Sequence, residues 1–325
     1  MGGGRFAPHV ALYGRGYTWA GSVRLLPVIP LLPDFIFVGI VLPQGWDVTL
    51  VSAALAFAVP LLLAGVGECL VQRSGVLNIG VEGEMLVGAL AAVAGSYYTG
   101  CAWLGLLAGI LASMLLGALF GVLAVYRNAN QVVAGTALNL LALGGTGAAY
   151  HALTQRLAAA GASRLEGVKL PDWPIPGLSA LPVFGSTLFQ GNVLVYAAFL
   201  VVPATAALLF RTRQGLQLRA VGEHPHAAEA AGVDVRRMRL LAVLAGAALA
   251  GMGGAFLSIG HVVTFAENMT AGKGFIALAL VIFGRWRPLG VAAGAAVFSL
   301  AWGLGAVFST QGRGRPEEGF LLALP

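Results

Sequence analysis

The sequence predicts an all-α polytopic membrane protein with about nine membrane-spanning helices. Hydrophobic residues make up 58% of the 325 positions and charged residues only 10%, with a mean hydropathy of +0.85. That leaves too little polar surface to cover a soluble globule of this size. Apolar runs are long, as in CAWLGLLAGILASMLLGALFGVLAV at 101–125, and at 1.5 Å per helical residue such a run crosses the roughly 30 Å hydrocarbon core. The runs lack the apolar/polar alternation of a barrel strand, so helices cross.

In chain order the expected spans are 25–43, 48–71, 77–98, 101–125, 131–152, 192–210, 239–260, 264–284 and 289–308. Their ends are set to within about two to four residues. The first contains Pro27, Pro30, Pro33 and Asp34. A carboxylate at a helix centre costs roughly 2.5–3.5 kcal/mol, so this segment either crosses at a cost or lies along the interface. The eighth has an apolar part, GFIALALVIFG, of only 11 residues, which reaches about half the core. It is either half of a broken helix, re-entrant or not, or the end of a longer span that includes Glu267 and Lys273. Gly272 and Gly274 flank that lysine, and transporters often form their paths at interrupted helices. Small residues, such as AGAALAGMGGA at 245–255, let helices approach closely where lipid supplies no hydrophobic drive.

With alternating loops and an internal N-terminus, thirteen of the nineteen Lys and Arg residues fall inside, as the insertion rule requires. The formal net charge of +6 therefore reflects orientation. The basic residues are spread through short loops and form no surface for nucleic acid. Residues 1–24 are Gly-rich and polar, without a cleavage site after a short apolar core, so an uncleaved internal tail is expected. A permease domain over 25–308 and a short tail over 309–325 complete the expected organisation. Cys69 and Cys101 fall at opposite membrane ends, too far apart for the roughly 4.4–6.8 Å Cα separation of a disulfide.

Two loops stand out. The inner loop 211–239 contains GEHPHAAEAAGVDVRRMR, where Pro225 suits a first helical position and Gly232 a left-handed end. A two-turn helix outside the bilayer is expected, either a plain connector or an element held by another surface. The outer loop 153–191 carries Trp173 between two prolines, as an interfacial anchor or a docking surface.

Charge within the spans concentrates in GVGECLVQRSGVLNIGVEGEMLVGA at 65–89. On a helix Asn78 and Glu82 would share a face, whereas Glu82 and Glu84 would point apart, so the glutamates are no catalytic dyad. If the span begins near Asn78, that residue is its cap, and the positive helix end stabilises each carboxylate by roughly 0.3–1 kcal/mol. If the face looks into a cavity, the same residues line a path. No metal-ligand cluster or nucleophile/base arrangement is evident in the spans. His224 and His226 flank Pro225 without further ligands, and Cys69 has no neighbouring base.

Four segments in this order, GECLVQRSGVLNIGVEGEMLVGA, NQVVAGTALNLLALG, GLQLRAVGEHPHAAEAAGVDVRRMR and GKGFIALALVIFGRWRPLG, resemble the permease subunits of bacterial ATP-binding-cassette importers. The nearest branch looks like the nucleoside permeases that work with basic membrane lipoproteins, related to ribose and branched-chain amino acid permeases. The resemblance covers roughly residues 50–324. It implies a type II-like importer permease fold in the bacterial inner membrane, an extracytoplasmic substrate-binding lipoprotein, a second and non-identical permease subunit, and ATPase subunits beneath. ATP and Mg would be used by the ATPase, since this chain has no GxxxxGK[ST] phosphate loop, and the chain itself would bind no cofactor. Asn78 and Glu82 match the family's NIG-x-EG pattern. The resemblance marks them, with Asn139 and Lys273, as translocation-path candidates, and leaves Glu84 undecided. It marks Gly222, Glu223, Pro225, Ala228 and Gly232 as candidates for coupling to the ATPase. Relatives continue past the point of FLLALP into a further span, so the last family helix is expected to be missing. Sugar or branched-chain amino acid import is the alternative within the class. An ion-coupled transporter using Glu82 or Glu267 is the alternative outside it.

Overall fold

A computed structural model describes residues 46–159, 161, 165–174 and 191–311. The chain divides after Asp47 into two units, the first described only through Trp46 and Asp47. The regular secondary structure of the described residues is helical, joined by turns and irregular chain with two isolated β-bridges. Helix α1 (Trp46–Arg73) absorbs Pro60 in its interior, which membrane helices tolerate when neighbours satisfy the freed backbone groups.

After α1 the chain does not go straight into the next helix. Gly75 turns it with φ +82°, and residues 76–80 run back up beside α1, so that Asn78 reaches Glu68. Glu68 lies five residues before Arg73, about 7–8 Å up the helix. Helix α2 (Val81–Thr99) therefore starts inside the protein rather than at its surface.

Helix α3 (Ala102–Gly121) loosens over Val122–Tyr126 into a π-helical turn, where the Arg127 amide donates to the Val122 carbonyl. Helix α4 (Gln131–Ala159) follows. Asn192 caps α5 (Val193–Arg211) and Thr212 caps α6 (Arg213–Glu223). The short α7 (Pro225–Ala230) precedes α8 (Val235–Ala255), which Asp234 caps and a second π-helical turn, Phe256–Val262, extends. Helix α9 (Lys273–Phe283) has 11 residues, and α10 (Pro288–Gln311) ends the described chain.

Helix α2 is the centre, packed on α3, α4 and α8. Small residues set its distance from α8. A Cβ on Gly88 would meet the Gly251 Cα at 2.8 Å, and one on Gly254 would overlap the Met85 carbonyl. The 245–255 run thus packs helix on helix, as its composition predicts.

Six helices are long and apolar enough to cross a membrane: α1, α3 with its π turn, α4, α5, α8 with its π turn, and α10. The chain is a multi-pass membrane protein. The expected nine spans come down to these six among the described residues, and 25–43 lies outside them. Segment 77–98 becomes irregular chain and a turn followed by α2, a less apolar helix with Glu82 and Glu84 in its first turn. Segment 264–284 becomes irregular chain followed by α9. It is interrupted rather than re-entrant, because α9 ends beside Arg73 while Val263 pairs with Gly167 at the opposite end. The end near Arg73 also holds the termini bearing Arg127, Arg211, Arg213, Arg219, Arg236, Arg237, Arg239, Arg285 and Arg287. At the other end Val168 bonds Ser96, Leu170 bonds Ile259, and Asn192 bonds Gly260.

Candidate translocation and coupling site

The return segment between α1 and α2 carries unpaired backbone groups into the interior, and side chains satisfy them. The Asn78 amide donates to Glu68 Oε1 at 3.2 Å, its Nδ2 donates to Glu84 Oε1 at 2.8 Å, and its Oδ1 accepts from the Gly80 amide at 2.9 Å. Gln72 Nε2 also donates to Glu68 Oε1. Glu68, Asn78 and Glu84 are each 1% exposed. Asn78 therefore faces Glu84 and Glu68, which corrects the shared face with Glu82. The helix begins at Val81, so no i,i+4 relation links positions 78 and 82. Glu68 was not singled out in the sequence, because one glutamate near the end of an apolar run gives no pattern.

Asn139 closes the same joint from α4. Its Oδ1 accepts from the Gly83 amide and its Nδ2 donates to the Ile79 carbonyl, both at 2.8 Å. One side chain thus satisfies a donor and an acceptor at the start of α2.

Glu82 points the other way, to α9. Its Oε1 accepts from the Gly272 amide at 2.8 Å and its Oε2 from the Gly274 amide at 2.6 Å. A helix N-terminus presents unpaired amides and partial positive charge, so a carboxylate there is doubly favoured. Only glycine fits at 274, where a Cβ would stand 2.6 Å from the Glu82 Cα. Lys273 does not ion-pair with Glu82. Its Nζ donates to the Thr270 carbonyl at 3.2 Å and sits 5.3 Å from the Phe57 ring centroid, and Phe57 stacks on Trp302. The far end of α9 is tied as well. Arg73 Nε donates to the Trp286 carbonyl at 2.9 Å, and Trp286 Nε1 donates to Gln72 Oε1 at 2.8 Å. Both ends of α9 are therefore held by the hairpin of α1 and α2.

That hairpin is fastened to α6. Gly222 lies so close that a Cβ would overlap the Arg73 carbonyl, and Arg239 Nε donates to the Ser74 carbonyl at 3.2 Å. The Arg73–Glu223 pair, at 3.9 Å, is half open to solvent and adds little. Helix α7 begins at Pro225 and closes with Gly232 at φ +86°, where Val233 N donates to the Ala228 carbonyl. Ala228 is 5% exposed and turned inward, whereas His226, Ala227, Glu229 and Ala230 are exposed. Helix α6 is an addition to the sequence reading. Its signal was the Thr212 cap with Gly215, Leu218 and Val221 at helical spacing on the buried face.

Near the opposite end His151 Nε2 and Glu267 Oε1 lie 2.9 Å apart, both more than half exposed. Trp173 is exposed, and its carbonyl accepts from the Tyr196 hydroxyl. No group of three or more His, Cys, Asp or Glu able to hold a metal ion occurs among the described residues.

Residues 50–318 match the family model described as "Branched-chain amino acid transport system / permease component". The chain is 40% identical to a putative glucose ABC transporter permease protein, TsgC13, of Haloferax volcanii, over 77% of this chain and 75% of the relative. It is 35% identical to the guanosine ABC transporter permease protein NupQ of Bacillus subtilis, over 80% and 82%. It is 34% identical to the nucleoside ABC transporter permease protein NupC of Lactococcus lactis, over 79% and 82%. Each of these organisms also has a second, less similar permease named for the same cargo, at 29%, 28% and 25% identity respectively. No solved structure matches.

Proposed function

The chain belongs to the family of branched-chain amino acid transport system permease components, and from that premise we propose how this ABC importer permease is energised and what it carries. It is a transport subunit, not an enzyme, and ATP hydrolysis belongs to an ATPase subunit. Its basic end faces the cytoplasm, and its membrane is the bacterial inner membrane. The cargo is a nucleoside, delivered by an extracytoplasmic binding lipoprotein. Two of the three relatives above are named for nucleosides or guanosine, and a simple sugar is the alternative. A non-identical permease completes the pathway, a reading supported by the paired relatives in each organism.

The double tether of α9 carries the mechanical reading. An ATPase that displaces α7 and α6 would pull the turn at Gly75 through Gly222, and that turn leads directly into the hairpin that grips α9 at Glu82 and at Arg73. A half-length helix starting inside the membrane is a gate that can tilt without unfolding a full span. Asn78 and Asn139 brace the hairpin, and Lys273 stands where α9 opens. Gly222 and Glu223 form the contact that passes motion on, and α7, from Pro225 to Gly232 with Ala228 as its inward anchor, is the docking element.

The test is reconstitution of the permease with its ATPase, binding protein and neighbouring permease in proteoliposomes. Labelled nucleosides, glucose, ribose and leucine are offered with ATP inside. ATP-dependent nucleoside uptake supports the reading. Preference for a sugar overturns the cargo, and uptake driven by a proton gradient without ATP overturns the importer mechanism.

A further inference from the structure

Between the ends of α5 and α8 the fold leaves an open groove of about 330 Å³. Leu70 of α1, Leu208 of α5, Leu218 of α6, and Met238 and Leu241 of α8 form its apolar wall, and Gln214 and Gln217 stand on the α6 side. Its depth in the membrane follows from the helices. Leu208 lies three residues before the end of α5, and Met238 is the fourth residue of α8. The groove therefore sits where hydrocarbon gives way to headgroups, at the basic end of the protein.

The charge around it has one sign in excess. Arg211 follows Leu208 by three residues and Arg237 precedes Leu241 by four, so each stands one turn beyond a wall residue on the same helix face. Arg211, Arg213 and Arg236 are exposed and have no ion-pair partner among the described residues. Arg237 pairs with Asp234 at 2.9 Å, an exposed pair that leaves its guanidinium free to take a second anion. A peptide in this groove would find few partners for its backbone, since Gln214 and Gln217 are the polar side chains of the wall. An acyl chain needs none.

We propose that the groove seats an acyl chain of an anionic phospholipid, with Arg211 and Arg237 on its phosphate. The inference needs only that the chain is membrane-embedded, not that the cargo or the coupling route is as given above. Lipid binding and uptake can thus fail separately.

The permease is purified with its ATPase in mild detergent and incorporated into nanodiscs of phosphatidylcholine doped with phosphatidylglycerol, and retained lipid is counted by native mass spectrometry. Wild type is expected to keep phosphatidylglycerol over phosphatidylcholine by about tenfold or more, since each basic residue near an anionic surface contributes about fivefold. The R211Q/R237Q double variant should lose that preference while still binding neutral lipid. Leu241→Trp, at a position 61% exposed and so tolerant of bulk, should fill the groove and lower retention of both lipids. Equal retention of the two lipids by wild type overturns the proposal. So does a cysteine at 241 that cross-links to residues 25–43 or to the second permease, since protein would then fill the groove.

Discussion

Gly274 donates its amide to Glu82 across 192 positions of sequence, at 2.6 Å, while Gly272 bonds the other oxygen of the same carboxylate. A helix that starts inside a membrane cannot leave its first amides to water, so the carboxylate takes the place of the missing turn. Glu82→Gln keeps the shape but turns an amide NH2 toward one of the two donors. Uptake is expected to fall at least tenfold while the ATPase complex still purifies, and Glu82→Asp, one methylene shorter, should fall between. Wild-type uptake by Glu82→Gln would remove this latch from the mechanism.

The helical class, six of the nine expected apolar spans and the short helix between Pro225 and Gly232 were legible in the sequence, because periodicity and chain stiffness are local. The return of residues 76–80 beside α1 was not. Its cause lies in Glu68 and Asn139, 10 and 61 positions from Asn78, which supply partners for the backbone of a segment that forms no helix. Once α2 starts at Val81, the helical spacing of Asn78 and Glu82 has no meaning, and the two residues serve different neighbours. The break in segment 264–284 was visible as an 11-residue apolar run, but its depth was fixed only by the contact to Glu82.

Glycines offer a paired test of packing against space. Gly254→Ala would drive a methyl group into the Met85 carbonyl, where backbone blocks it, whereas nothing lies within 4 Å of a Cβ at Gly144. Overpacking typically costs about 1–3 kcal/mol, and more where backbone must move. Gly254→Ala should therefore reduce folded protein several-fold in detergent extracts, while Gly144→Ala leaves the yield unchanged. Equal yields would contradict the close approach of α2 and α8.

Asn139 should be felt in stability before transport. Asn139→Ala orphans the Gly83 amide and the Ile79 carbonyl, at about 1–3 kcal/mol for each group left without a partner. Asn139→Asp keeps the acceptor for Gly83 but turns a carboxylate oxygen onto the Ile79 carbonyl, so any recovery over alanine is confined to the Gly83 bond. Unfolding in increasing SDS measures both variants, and an unchanged midpoint for Asn139→Ala would show that water or another side chain replaces the amide.

Contact with the ATPase should follow exposure along α7. Cysteines at His226, Ala227 and Glu229 are expected to cross-link to a co-expressed ATPase, whereas Ala228→Cys, at 5% exposure, should stay silent. Cross-linking confined to position 228 would mean that α7 turns over in the complex, and silence at every position would sink its role as the docking element.

The joint at Gly222 separates coupling from folding. A methyl group there would overlap the Arg73 carbonyl, so Gly222→Ala must push α6 away from the turn that leads to α2. The groups displaced lie at the protein's end, where water can repair lost contacts, and the core around α2 is untouched. The variant is therefore expected to fold and to bind the ATPase, and to let it hydrolyse ATP at near the wild-type rate. What it should lose is the ratio of cargo moved to ATP consumed, about tenfold or more, because motion of α6 no longer reaches Glu82 and Arg73 at the two ends of α9. A plain structural defect would lower hydrolysis and uptake together, and an intact ratio would show that force enters the membrane by another route.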